Sequence, residues 1–193
     1  AIGSGLLSYH RKESAFIVVK MRLFSDLLTG DEMFTDSSKY TLVDGCIYEV
    51  ECVHVTRRQG EIALEGSNPS AEEADEGTLE NVESGLDLVL NNRLVETAFS
   101  KSDYKNYLKT YTKALQEKWK EEEWTEDQIN EAKTKIQEGV KKILPKLSDV
   151  QFFLGESSNP DGMVALLDYR EGPDGNEKPF MLFLKHGLRE EKM

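Results

Sequence analysis

Apolar and polar positions alternate with period two in the first half of the chain and recur at helical spacing in the second. Asp44-Gly45 carries the chemistry of a two-residue hairpin turn. Beyond it, Tyr48, Val50 and Cys52 alternate with Glu49 and Glu51, which predicts a strand with one buried and one wetted face. Residues 65–84 are rich in Glu, Asp, Gly, Ser and Asn. They hold too few large apolar groups to offset the entropy of ordering, so a mobile acidic loop is expected there. Leu86, Leu88 and Leu90 then read as a resumed strand, closed by Asn91-Asn92.

A helical hairpin is predicted over 100–147. Ser100 with Asp103 three residues on is a capping-box-like start. After it, Tyr104, Tyr107, Leu108, Tyr111, Leu115 and Trp119 recur on one helical face. Thr125 with Gln128 begins the second helix, whose stripe is Ile129, Ala132, Ile136, Val140, Ile143, Leu144 and Leu147. Each large side chain that is fully buried contributes about 1.5–3 kcal/mol, so both stripes must lie against a core. Pro145 stands where the second helix should finish or kink. Val150–Leu154 and Met163–Leu167 read as two strands joined by a loop that carries Glu156 and Asp161. Within that loop, Asn159-Pro160-Asp161-Gly162 is turn chemistry. A Pro173-Asp174-Gly175-Asn176 turn precedes the last strand, which reaches Leu184. The pattern is α+β: a mainly antiparallel sheet assembly with a projecting helical hairpin.

A chain of 193 residues is one domain by length, or at most two small ones, with room for a real core. Its net charge of -12 repels nucleic-acid phosphates and favours basic partners. Arg11, Lys12 and Lys20 against Glu13 give residues 1–20 a charge of +2, so the remainder carries -14. No run approaches the roughly 20 apolar residues that cross a bilayer. Cys46 and Cys52 lack CxxC spacing, and on a strand they would share one face too far apart to bond. They are expected to be buried free thiols, which suits a reducing cytosol. Asn68-Pro69-Ser70 is no glycosylation acceptor because proline occupies its centre. The histidines are His10, His54 and His186, and the chain has no GxSxG, HExxH, P-loop or GxGxxG. Neither an enzyme nor a required cofactor is expected.

Two distant strings resemble one known family: Glu65-Gly66-Ser67-Asn68-Pro69-Ser70-Ala71-Glu72, and the whole stretch VQFFLGESSNPDGMVALLDYR from Val150 to Arg170. Met21-Arg22-Leu23-Phe24, Asp31-Glu32-Met33, Val95-Glu96-Thr97-Ala98-Phe99 and the ending Gly187 to Lys192 are similar to it as well. The family is that of the translationally controlled tumour proteins, TCTP. The resemblance implies a single domain over 21–193 and a β-tent fold shared with the Mss4/Dss4 exchange chaperones. Those relatives hold zinc through CxxC pairs that this chain lacks, so no zinc is expected. The loop 171–178 is slightly longer than the family's. Residues 1–20 match nothing in the family and are expected to be an extension added in cloning, with Met21 as the natural initiator; a natural extension is the alternative.

The resemblance also names partners. Read from its surroundings alone, Glu32 is a solvated acid in the polar loop Thr29-Gly30-Asp31-Glu32-Met33 just past the first strand; by resemblance it matches an acid implicated in contacting a Rheb-like small GTPase, where a carboxylate can pair with switch-region or P-loop cations. Glu156 and Asp161 either line the same surface or are solvated acids beside a turn. Lys101, Lys105, Lys109 and Lys113 recur every four residues on the first helix. They are either a solvated face or a dock for an acidic partner such as tubulin, with which the family associates. The same hairpin is, by resemblance, a dock for apoptosis-regulating proteins. Glu72, Glu73, Asp75 and Glu76 offer hard oxygen ligands for a weak calcium site, without EF-hand spacing. The resemblance implies a cytoplasmic protein, expected to be a monomer, that promotes or stabilises nucleotide exchange in growth signalling. The family is also known to leave cells by a non-classical route. The alternative is a tubulin- and calcium-responsive anti-apoptotic scaffold with no exchange activity.

Overall fold

The computed structural model describes residues 21–58 and 82–193. Residues 1–20 and 59–81, and with them the expected calcium ligands Glu72, Glu73, Asp75 and Glu76, lie outside the described residues.

Strands β1 (Arg22–Asp26) and β2 (Glu32–Thr35) form an antiparallel pair. Strands β3 (Tyr40–Val43) and β4 (Ile47–Glu51) follow, then β5 (His54–Arg58) and β6 (Val82–Leu86). The short helix α1 (Asp87–Asn92) and β7 (Val95–Thr97) lead into α2 (Lys101–Glu121) and α3 (Glu126–Ile143). Strands β8 (Gln151–Leu154), β9 (Ala165–Glu171), β10 (Glu177–Leu184) and β11 (Leu188–Lys192) complete the chain. Three antiparallel sheets result, ordered β11-β1-β2, β3-β4-β10-β9-β8-β7 and β5-β6. The class is α+β, as the residue pattern predicts.

The hairpin turn at Asp44-Gly45 is present, with both residues at positive φ (50° and 70°). Tyr48, Val50 and Cys52 are buried while Glu49 and Glu51 stay half-exposed. The free thiols of Cys46 and Cys52 are both buried, and burial pushes Cys52 up to about 12. One aromatic cluster joins the two larger sheets. Phe24 of β1 stacks on Phe34 of β2 at 4.2 Å, and Tyr48 and Phe183 of the six-stranded sheet meet Phe34 at 5.7 and 4.9 Å. Such pairs add about 0.5–1.5 kcal/mol each beyond the area they bury.

The helical hairpin lies against this core along its length. Tyr104, Leu108, Tyr111, Leu115 and Trp119 of α2 are buried, as are Ile129, Ala132, Ile136 and Ile143 of α3. Ser100 caps α2 through the Asp103 amide, and Thr125 with Gln128 forms a full capping box on α3. Gly139 lets α3 approach the sheet: a Cβ there would sit 2.7 Å from Leu184 Cδ2. Pro145 falls in a 3-10 turn, Leu144–Lys146, that ends the helix. Arg189 of β11 bonds Glu122 just past the end of α2 and ties down the hairpin's far end.

Three readings of local structure are corrected. Leu88 and Leu90 belong to α1, not to a strand. The Asp87 carboxylate accepts from the Leu88 amide (2.8 Å) and from the Val53 amide (2.9 Å), and so nucleates a turn where the leucine spacing suggests extension. Val82–Ser84, expected to end the acidic loop, lie in β6. Leu188–Lys192 forms β11, paired with β1 from Arg22↔Lys192 to Asp26↔Leu188.

Candidate functional site

The first candidate surface is built from the turn after β1 and the loop between β8 and β9. The chain reverses over Leu27–Asp31, closed by Asp26 N to Asp31 O and Gly30 N to Asp26 O, each 2.8 Å. Gly30 stands at φ +79°, a conformation that favours glycine. Asp26, only 3% exposed, organises the reversal. One carboxylate oxygen accepts from the Leu28 amide (3.0 Å). The other accepts from the Thr29 hydroxyl (2.8 Å) and, across the fold, from the Met163 amide (2.8 Å). Asp31 forms a second clasp, accepting from the Ser157 hydroxyl at 2.5 Å. Gly155 and Gly162 leave space for these carboxylates; a Cβ on Gly162 would lie 2.6 Å from Asp26 Oδ2.

Helix α2 braces the same loop from beneath. The Tyr107 hydroxyl donates to the Gly162 carbonyl (2.6 Å) and accepts from the Val164 amide (3.1 Å). Burial raises the Tyr107 phenol well above its ordinary value, which keeps its proton in place as a donor. Turn, loop and helix are thus fixed to one another.

On this scaffold Glu32 is exposed and makes no side-chain hydrogen bond or ion pair among the described residues. It opens β2 opposite Ser25, just beyond a register shift in the β1–β2 pair. It is therefore a strand residue rather than part of the loop expected from sequence. Glu156 is exposed and pairs with Arg93, the left-handed residue that ends α1, at 2.9 Å. Both partners are well solvated, so the pair contributes little to stability. Asp161 is exposed, and its amide donates to the Asn159 side chain in the predicted turn. The clasps therefore gather the elements carrying Glu32, Glu156 and Asp161. Asp26, Asp31 and Tyr107, which hold them, are the residues sequence reasoning missed. The Asp26-x-x-Thr29-Gly30 spacing, an Asx-turn pattern, was the available signal.

The second candidate surface is α2 itself. Lys101, Lys105, Lys109 and Lys113 are all exposed, winding away from the stripe buried at Tyr104, Leu108 and Tyr111. None makes an ion pair among the described residues. His54 opens β5 and is exposed. His186 is half-buried in the 3-10 turn between β10 and β11, with Nδ1 unpartnered. Among the described residues, no group of three or more His, Cys, Asp and Glu could hold a metal ion.

The fold and these two surfaces define an α+β protein that presents charge of both signs on a rigid frame, which is chemistry for binding. The chain belongs to the family described as translationally controlled tumour protein, whose model matches residues 21–189. It is 72% identical over 173 residues to the translationally-controlled tumor protein homolog of Grammostola rosea, covering 90% of this chain and all of that one. The homolog from Loxosceles intermedia is 70% identical over the same length, with the same coverage. The solved structure of the translationally controlled tumor-associated protein p23fyp from Schizosaccharomyces pombe superposes with a TM-score of 0.68 at 38% identity. That match covers 89% of this chain and 99% of the other.

Proposed function

We propose that this protein is a cytosolic regulator that binds a Rheb-like small GTPase through the clasped rim and promotes or stabilises nucleotide exchange. One observation carries the reading. Glu32 is an exposed carboxylate, unpaired among the described residues, at the start of β2 beside a turn that Asp26 and Asp31 tie to the β8–β9 loop. A carboxylate presented rigidly loses little entropy when it pairs with a switch-region or P-loop cation, and it competes there with phosphate charge. Glu156 and Asp161 extend the acidic rim. The test is release of labelled GDP from the organism's Rheb-like GTPase. Wild type should accelerate release and Glu32→Ala should not. If neither does, while EDTA triggers release from the same GTPase, the exchange reading is wrong.

A second reading is favoured by the exposed, unpaired lysines of α2. They suit the acidic tails of tubulin, in a microtubule-stabilising, calcium-responsive scaffold that also engages apoptosis regulators. Reversing Lys101, Lys105, Lys109 and Lys113 to Glu should then weaken co-sedimentation with tubulin, and added salt should do the same. The helices of the described residues include none long and apolar enough to cross a membrane.

A further inference from the structure

The seam between the two hairpin helices holds a groove of which the second reading uses only Lys109. Between α2 and α3 runs a groove of about 310 Å³ whose floor is Leu108, Ile136 and Val140. A second hollow of about 130 Å³ continues it, sharing Thr112, Ile136 and Gln137 and reaching Trp119. Lys109 and Lys141 flank the first part and Lys133 the second. Among the described residues no carboxylate lines either part.

That composition is unusual for this chain, which carries 36 acids against 24 basic residues. Some lysines on and beside the hairpin are paired: Lys118 with Glu121, Lys135 with Glu138 and Lys146 with Asp168. The three at the groove make no ion pair among the described residues. A groove with half-buried Val140 beside buried Leu108 and Ile136, and with lysines on both banks, is the complement of a ligand with an apolar stripe and acidic flanks.

The length of the groove selects the ligand further. From Leu108 to Trp119 α2 rises roughly 16 Å, and from Lys133 to Lys141 α3 rises roughly 12 Å. An incoming helix places apolar anchors at i, i+4 and i+7 within roughly 10 Å, so two to three turns fill the groove. We propose that the α2–α3 groove docks an acidic amphipathic helix of a partner protein. The apolar face lies on Leu108, Ile136 and Val140, and the carboxylates meet Lys109, Lys133 and Lys141. This differs from charge attraction to a disordered acidic tail, because it demands the spacing of the apolar anchors as well as the charge. It uses no residue of the Glu32 rim, so it stands or falls independently of GTPase binding.

The test is calorimetric titration of the full chain with a synthetic 16-residue helix carrying leucines at i, i+4, i+7 and i+11 and glutamates on both flanks. A control peptide of identical composition spreads the leucines evenly around the helix. The patterned peptide should bind at least tenfold more tightly than the control. Lys109→Glu with Lys141→Glu, both at exposed positions, should weaken it at least tenfold. Val140→Asp should do the same, with unchanged circular dichroism showing that the hairpin is intact; the lysine pair decides if that variant unfolds. Equal binding of both peptides, no binding, or binding that ignores these variants overturns the proposal. Variant-sensitive capture by phosphatidylserine vesicles, or a variant-sensitive dimer in sedimentation, without peptide binding assigns the groove to a membrane surface or a second copy and also overturns it.

Discussion

Asp26→Asn isolates the clasp at the rim. The substitution keeps shape and removes one acceptor. In the native protein three donors converge on the carboxylate: the Leu28 amide at 3.0 Å, and the Thr29 hydroxyl and Met163 amide at 2.8 Å each. An asparagine must turn its NH2 toward one side. Facing Met163 and Thr29, it opposes a buried amide; facing Leu28, it opposes a partly buried one. The second orientation is the cheaper, and it still leaves an amide unpaired and replaces two charge-assisted bonds by neutral ones. Bonds to charged groups are worth about 1.5–3 kcal/mol each, and a buried donor left unpaired costs about 1–3 kcal/mol. Partial compensation brings the expected loss to about 2–4 kcal/mol. For a protein of this size that lowers Tm by roughly 5–15 °C. With a slope of about 2 kcal/mol/M, the urea midpoint falls by roughly 1–2 M. The assay is urea unfolding followed by far-UV circular dichroism, with Asp31→Asn as comparison. Asp31 is less buried and clasps only Ser157, so its loss should stay near 1 kcal/mol. A loss below about 0.5 kcal/mol for Asp26→Asn at unchanged slope, or a larger loss for Asp31→Asn, refutes the hub assignment.

Two further outcomes are expected. Gly187→Ala should cost about 2–3 kcal/mol, because its Cβ would strike the Tyr111 hydroxyl and come within 2.6 Å of Met163 Cε. Tyr111→Phe alone should be near neutral, since that buried hydroxyl has no partner among the described residues, and in the double variant it should recover part of the loss; additive effects in thermal melts would reject the clash. Burial lowers the His186 imidazole below its ordinary 6.5; Lys185 adds to this, Glu131 opposes it and Lys135 adds a little. The unfolded chain therefore takes up the proton first, so stability is full above about pH 6.5 and falls as pH drops toward the lowered folded value. His186→Gln should shrink the difference between urea midpoints at pH 7.5 and 5.5, and an unchanged difference would exclude the histidine.

The hairpin was legible because 3.6-residue periodicity accumulates over 21 and 18 residues, and because Ser100, Thr125 and Gln128 are unambiguous caps. The β4 strand was legible from strict alternation after Asp44-Gly45. Helix α1 was not. Over six residues, Leu86, Leu88 and Leu90 satisfy a strand's i, i+2 spacing, and Asp87, the first residue of the helix, reads as an ordinary strand interruption. β11 was hidden because its residues are mostly charged: it owes its extended form to pairing with β1, a long-range fact. At the rim the exposed acids could be named from sequence, while the groups that hold them could not. The bond from Asp26 to Met163 spans 137 residues, and nothing local marks its ends as partners.

Both tryptophans of the chain stand at one end of the hairpin. Trp119 and Trp124 are stacked at 5.4 Å and 14°, with Trp119 reaching the groove and Trp124 lying in a hollow beside His186. Intrinsic tryptophan emission therefore reports a single locality and is silent about the rim, where the aromatic side chains are tyrosine and phenylalanine. Set beside a probe of total secondary structure, it acts as a built-in local gauge. Coincident transitions mean that the hairpin and the sheets unfold as one unit, while an earlier emission change means that the hairpin lets go first.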